Sequence, residues 1–415
     1  MRSTKKLSPE VLVIGGGAAG MFAAIQAARC GANVTLLERN PRLGRKLGIT
    51  GKGRCNVTNQ ATAREVLQNI TRNGKFLSSA LYAFPPESVM AFFEEQGVPL
   101  KVERGNRVFP VSDKAGDIVG ALKTALYRAG VKLVTGRAKK LLLGSGTVCG
   151  AELEDGTRLE ADRVILATGG KSYPLTGSTG DGYALAASVG HHITPPIGSL
   201  VPLEENGNWC RRMQGLSLRN VGVKLLAGEK CIYSDFGELL FTHFGLSGPT
   251  ILSASAHMRA QADYTVVIDL KPALDEAALD ARVLRDFAEQ QNRTLEHAVT
   301  GLYPSALIPV ILEKAGLDPE KRVNALTRPE RLALERETKR FTVKIAGLRP
   351  VEEAIVTSGG VEPKEVDPRT MASKLCPGLF FAGEILDCDA YTGGFNLQIA
   401  WSTGYLAGRA AAEGE

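Results

Sequence analysis

The run Gly15-Gly16-Gly17-Ala18-Ala19-Gly20 follows directly on the apolar stretch Val11–Ile14 and opens a small-residue segment that closes at Cys30 and Gly31. A second apolar stretch, Asn33–Leu37, ends at Glu38. Strand, glycine turn, helix and strand within about 30 residues predict a βαβ unit that binds a dinucleotide. Gly15 permits the tight turn, Gly17 lets a pyrophosphate approach the backbone, and Gly20 lets helix and strand pack closely. The helix start at Ala18 and Ala19 presents free N–H groups and a partial positive charge to that pyrophosphate. Glu38 stands 18 residues beyond Gly20. There a carboxylate accepts the hydroxyls of an adenosine ribose and disfavours a 2′-phosphate.

The rest of the chain must make sense around this unit. At 415 residues it has room for two or three domains, and 44% apolar with 23% charged residues is a globular profile. Net charge is +6 without a concentrated basic stripe, the short run Arg42–Lys46 apart, so no nucleic-acid partner is expected. Seven cysteines without a CxxC pair suit a reducing cytoplasm rather than a disulfide framework. The first apolar run is too short for a signal or a spanning helix, so a cytoplasmic protein with no membrane association is expected.

Residues 60–130 read as mostly helical, in pieces such as Lys75–Phe84, Pro86–Gln96 and Ala115–Ala129. Short strands are expected at Val131–Thr135, Leu141–Leu143, Val148–Leu153 and Arg163–Thr168. Composition changes at Thr194-Pro195-Pro196. Short strands follow at Val221–Leu226, Cys231–Ser234, Leu239–Thr242 and Tyr264–Leu270, then a charged helical stretch, and an alanine-rich helix ends the chain. The expected fold class is therefore α/β. One Rossmann-like domain is formed by 1–193 and 346–415, and an insert spans 194–345, with 194–271 β-barrel-like and 272–340 helical.

Only one complete GxGxxG is present, yet glycine runs recur far downstream, in Thr168-Gly169-Gly170, Ala382-Gly383-Glu384 and Gly393-Gly394-Phe395-Asn396-Leu397. That distribution suits FAD, an elongated ligand whose flavin end is met by a distant part of the sheet. Glu384 is placed to hydrogen-bond the ribityl or pyrophosphate region. The helix start at Gly394–Leu397 could aim N–H groups at flavin N1 and O2, stabilising the reduced anion and raising the reduction potential.

Gly44-Arg45-Lys46-Leu47, Thr50-Gly51-Lys52-Gly53-Arg54-Cys55-Asn56 and Phe241-Thr242-His243-Phe244-Gly245-Leu246-Ser247-Gly248-Pro249, with the motifs above, resemble the aminoacetone-oxidase-like or BaiN-like FAD-dependent flavoproteins. The resemblance covers essentially the whole chain. It implies a glutathione-reductase-like FAD domain of the fumarate-reductase branch with an inserted barrel and helical subdomain. It also makes Lys46, Gly51, Arg54 and Asn56 candidate cofactor contacts, in a loop that also holds Cys55. Arg39, Ala138 and Asp181 complete the candidate set, Asp181 lying in Thr179-Gly180-Asp181-Gly182, which looks like a turn of that branch. Thr357-Ser358-Gly359-Gly360 looks like a second such turn. Val356 stands where fumarate reductases carry a carboxylate-gripping histidine, which argues against a small dicarboxylate substrate.

Other residues weigh differently. Cys55 reads as a buried structural cysteine in preference to a redox thiol. Asp387-Cys388-Asp389 reads as a loop over the flavin, because two acids and a thiol in a row do not converge easily on one metal ion. His243 can move a proton to or from a substrate, or anchor a turn; both readings stand. Tyr391 is a candidate to stack on or bond near the flavin ring.

The expected activity is hydride transfer between flavin N5 and a small molecule, by oxidation of an amine or amino-ketone. The alternative is reduction of an activated C=C bond, with NAD(P)H as a transient electron donor or a protein in its place. A third reading, from another class, is a flavin-binding RNA-linked protein. Oligomeric state is left open.

Overall fold

The computed structural model describes residues 8–259 and 262–413. It divides into two compact units, one running to Ser199 and resuming at Val351, the other Leu200–Pro350. The first boundary lies later than the composition change because the strand Ile193–Ser199 pairs antiparallel with Val356–Val361, inside the first unit. The register slips between Thr194 and Ile197, at Pro195 and Pro196, which cannot donate to a ladder. The Thr357–Gly360 segment, read as a turn, is thus part of an extended strand.

The first unit is built on a five-stranded sheet whose paired neighbours are all parallel. Its centre is β1, Glu10–Ile14, followed by α1, Ala18–Arg29, and β2, Asn33–Glu38. Arg163–Leu166 and Leu379–Phe381 continue the sheet on one side of β1, Lys132–Thr135 on the other side of β2. After their first residues, Glu10 and Arg163, the neighbouring strands Glu10–Ile14 and Arg163–Leu166 are apolar and buried, as strands covered on both faces must be. α2, Arg45–Gly53, is broken at Thr50–Lys52, where the backbone leaves helical geometry. The last helix, Phe395–Glu413, lies along α1. Its Trp401 is buried among Phe22 and Phe93 and donates Nε1–H to Val57 O at 2.9 Å.

Residues 60–130 are less helical than their composition predicts. Leu100–Glu103 and Arg107–Pro110 form a hairpin that Thr58–Asn59 extends. Gly105 and Asn106, at φ 76° and 56°, turn it. A Gly-Asn pair between short alternating runs is a hairpin signal.

The second unit contains a closed six-stranded barrel, all of its pairings antiparallel. Its strands are Leu203–Glu205, Gly245–Ser247, Lys230–Phe241, Ser217–Ala227, Tyr264–Asp269 and Phe341–Leu348, which returns to the first. The two runs Cys231–Ser234 and Leu239–Thr242 are one strand. Exposed Asp235 and Phe236 interrupt its apolar pattern, but both keep partners on the next strand. Helices Glu276–Glu289 and Arg328–Lys339 bring Leu279, Val283, Phe287 and Leu334 into the same core as barrel residues Val223, Phe241 and Phe341.

Candidate cofactor and active site

The strands of the parallel sheet end level, and their backbones are tied where the chain leaves it. Gly15 N donates to Leu37 O at 2.8 Å, Ala167 N to Ile14 O at 2.9 Å, and Ala382 N to Leu166 O at 3.0 Å. Gly15–Gly20, Thr168–Gly170 and Gly383–Glu384 all follow directly, at the carboxyl ends where open α/β sheets bind ligands. One cavity runs over them. Of the candidate residues, Gly15, Gly17, Ala18, Ala19, Glu38, Arg39, Lys46, Ala138, Thr168, Gly169, Asp181, Glu384, Asn396 and Leu397 line it.

At one end lies Glu38. Its Oε2 accepts from Gly16 N at 2.6 Å, and its Oε1 from Asn40 N and Nδ2 at 2.8 and 2.7 Å. The carboxylate is therefore fixed in orientation while keeping a lone pair for a ribose hydroxyl. Beside it Asp181 takes Arg137 Nε and Nη2 at 2.7 and 2.8 Å and Arg39 Nη1 at 2.8 Å. The Arg137 guanidinium, helped by Thr179 and Arg39, holds Asp181 below the usual carboxylate range.

Further along, Glu384 gathers three other segments. Its Oε2 accepts from Lys46 Nζ at 2.6 Å, and its Oε1 from Thr357 N at 2.8 Å and Ser172 Oγ at 3.0 Å. Burial alone would raise its pKa. Lys46 and the bonds from Thr357 and Ser172 instead hold it below its ordinary value. The carboxyl read as a ribityl or pyrophosphate contact is thus first of all a tie between segments.

The remaining candidates do not line the cavity. Gly20 is needed for packing, since a Cβ there would sit 1.8 Å from Gly15 O. Gly51, Gly170, Gly383 and Gly394 are close-packed in the same sense, against Asn56, Thr357, Ala19 and Thr58. Arg54, expected at the cofactor, is committed elsewhere. Its guanidinium pairs with Glu103 and Asp113 and lies 4.2 Å from the centre of the Phe109 ring. Cys55 is fully buried, and burial pushes its thiol up to about 12. Asn56, with its amide nitrogen toward Val108 O and Thr58 O, accepts from Gly394 N at 2.9 Å. Gly394 N is therefore not directed at a flavin. The side chain of Asn396 is bound to Ala390 N and O, at 3.0 and 2.7 Å. What Asn396 and Leu397 offer the cavity is the open first turn of the last helix. Tyr391 packs against the core, its N donating to Asn69 O. His243 belongs to the second unit, exposed on the turn between Phe241 and Gly245, its ring 5.0 Å from that of Phe244.

Asn40, Arg42, Arg45, Arg137, Ser178 and Val356 also line the cavity and were not among the candidates. Arg42 was visible only as part of a basic run, and Arg45 only there and as a neighbour of Lys46 in Gly44-Arg45-Lys46-Leu47. Arg137, one residue before Ala138, is identified by Asp181, which comes beside it only in the folded chain.

The cavity wall fits a dinucleotide. Gly17 has no heavy atom within 4 Å of where a Cβ would lie, although Gly20 three residues on has no room at all. The start of α1 has neither a side-chain cap nor an acid in its first turn, so its N–H groups are left for an anion. Thr168 Oγ1 is buried in the wall with no hydrogen-bond partner among the described residues. Among those residues no group of three or more His, Cys, Asp or Glu could hold a metal, and no helix is long and apolar enough to cross a membrane.

A family model described as the HI0933-like protein Rossmann domain matches residues 9–410. The chain belongs to the HI0933-like family. It is thereby an FAD-dependent oxidoreductase. This HI0933-like chain is 36% identical over 409 residues to a 3-dehydro-bile acid delta(4,6)-reductase of Clostridium scindens, covering 97% of this chain and 98% of the other. It is 31% identical over 404 residues to a ribosomal RNA dihydrouridine synthase of Haemophilus influenzae, covering 95% and 96%. Among solved structures, 3-ketosteroid-delta4-(5alpha)-dehydrogenase from Rhodococcus jostii RHA1 superposes with a TM-score of 0.52 at 17% identity, covering 99% and 98% of the two chains. That likeness is one of fold.

Proposed function

We propose that this oxidoreductase reduces a carbon–carbon double bond conjugated to a carbonyl. The observation that carries the reading is chemical. The bile acid reductase and the dihydrouridine synthase each resemble this chain along almost its full length, and their names imply reduction of a C=C bond in conjugation with C=O. A steroid dienone and a uracil ring share little else. The alternative from the sequence therefore takes precedence over amine or amino-ketone oxidation.

Bound FAD supplies a hydride from N5. The chain's part is to hold it: Glu38 at the adenosine ribose, the start of α1 at the pyrophosphate, and Lys46, tied to Glu384 and Ser172, along the wall beyond. Reduction of such a bond would need that hydride at the carbon β to the carbonyl and a proton at the α carbon. Val356 and Ile355 give the wall an apolar stretch suited to a neutral substrate rather than a carboxylate. The electrons come from an external donor, a nicotinamide bound transiently or a redox protein.

A uridine in RNA is the second reading, favoured by the dihydrouridine synthase relatives. The two separate in one experiment, in which the photoreduced protein is offered either a ketosteroid enone or RNA lacking dihydrouridine. We expect the enone to reoxidise the flavin and RNA to gain no dihydrouridine by mass spectrometry. Dihydrouridine in the RNA with an inert enone would reverse the assignment.

A further inference from the structure

Two buried acids lie behind the part of the cavity wall formed by Cys388 and Val356. Asp387 is 1% exposed and Asp389 fully buried. Asp387 Oδ1 is met by Arg72 Nε at 2.6 Å and by Gly359 N at 2.9 Å. Asp389 is held by hydroxyls instead. Its Oδ1 accepts from Ser358 Oγ at 2.9 Å, and its Oδ2 from Ser199 Oγ at 2.7 Å and Thr71 Oγ1 at 2.9 Å. The partners of Asp389 are thus neutral hydroxyls, whereas Arg72 meets Asp387.

Cys388, between the two acids, lines the cavity. Its thiol is pushed well above the ordinary cysteine value, by burial first and then by Asp387 and Asp389; Glu362 adds to this and Arg72 opposes it. Asp387 and Asp389 flank this wall residue in the chain, which brings two acids directly behind the cavity. The start of the last helix, where Asn396 and Leu397 also line the cavity, supplies a potential of the opposite sign.

We propose that the buried Asp389 carboxylate lowers the reduction potential of FAD bound in this cavity, offsetting the helix start and making the bound cofactor a stronger hydride donor. The inference rests on placing the flavin end of FAD at the Val356–Leu397 end of the cavity. Two-electron reduction with uptake of one proton adds a negative charge to the cofactor. A fixed carboxylate in a water-poor wall disfavours that addition.

The test is the midpoint potential of the FAD-loaded protein, read against reference dyes. Asp389→Asn is expected to shift it to more positive values with cofactor content unchanged. Arg72→Gln is expected to shift it the other way, a sign reversal that general loosening of the structure cannot produce. Glu362→Gln, at a partly exposed position, is expected to give a smaller positive shift, and it decides the matter if Asp389→Asn does not fold. An unmoved potential in Asp389→Asn with normal cofactor content and melting temperature overturns the proposal, as do shifts of one sign in both Asp389→Asn and Arg72→Gln. Cofactor content in Glu38→Ala tests the cavity separately. Full occupancy there removes the placement itself, whereas depleted cofactor beside an unmoved Asp389→Asn potential removes only the role of Asp389.

Discussion

Lys46 Nζ stands 2.6 Å from Glu384 Oε2, although 338 positions of chain separate the two residues. The pair closes the cavity wall by joining α2 to the segment after Leu379–Phe381, and Ser172 and Thr357 are bonded to the same carboxylate. Glu384→Gln keeps the shape and removes the charge. A charge-assisted hydrogen bond is worth about 1.5–3 kcal/mol, so the variant should lose stability of about that size. Denaturant unfolding of the two proteins measures this directly.

The same carboxylate predicts a pH dependence. Its folded pKa lies below the ordinary value of 4.5, so its contribution to stability is fully present above that value. It is lost as pH falls through the depressed folded pKa. Melting curves of wild type and Glu384→Gln should therefore converge as pH drops below about 4.5. A constant gap down to acid denaturation would separate Glu384 from acid stability.

Glu38→Ala should leave a folded, flavin-poor protein. Gly16 N and Asn40 N lose their acceptor together with the ribose. Retained flavin after gel filtration would place the adenosine elsewhere.

Gly20→Ala should be the more damaging change, since the added methyl meets Gly15 O at 1.8 Å. Overpacking of this kind typically costs about 1–3 kcal/mol, and here it also deforms the pyrophosphate turn. A lower melting temperature together with loss of bound FAD is the expected outcome.

His243→Ala should leave the flavin absorption spectrum as in wild type, because His243 belongs to the second unit and the residues lining the cavity to the first. Unchanged turnover would make His243 a turn residue, a role its position between Thr242 and Gly245 would also serve.

How much of this was legible depends on how local each signal is. The βαβ unit could be read because Gly15, Gly17, Gly20 and Glu38 fall within one short stretch, each tied to a backbone requirement. A barrel was expected within the insert, but not the order of its strands, because its closure between Leu203 and Leu348 spans most of the insert. Arg54 was a candidate cofactor contact because the family resemblance implies that its glycine-rich loop meets the flavin. Glu103 and Asp113, which claim it, come beside it only through the hairpin. Arg137 was passed over for the converse reason, its partner Asp181 being distant in sequence. Short-range backbone constraints were therefore readable, and side chains whose roles are set by a distant partner were not.

The most direct measurement is anaerobic. Enzyme whose flavin has been photoreduced is mixed with a ketosteroid carrying a double bond conjugated to its carbonyl, and flavin absorbance is followed. The account predicts full reoxidation with one C=C bond reduced per flavin, and no bleaching of the oxidised enzyme by amines. Rapid bleaching by an amine, with the reduced enzyme inert toward the enone, would contradict it.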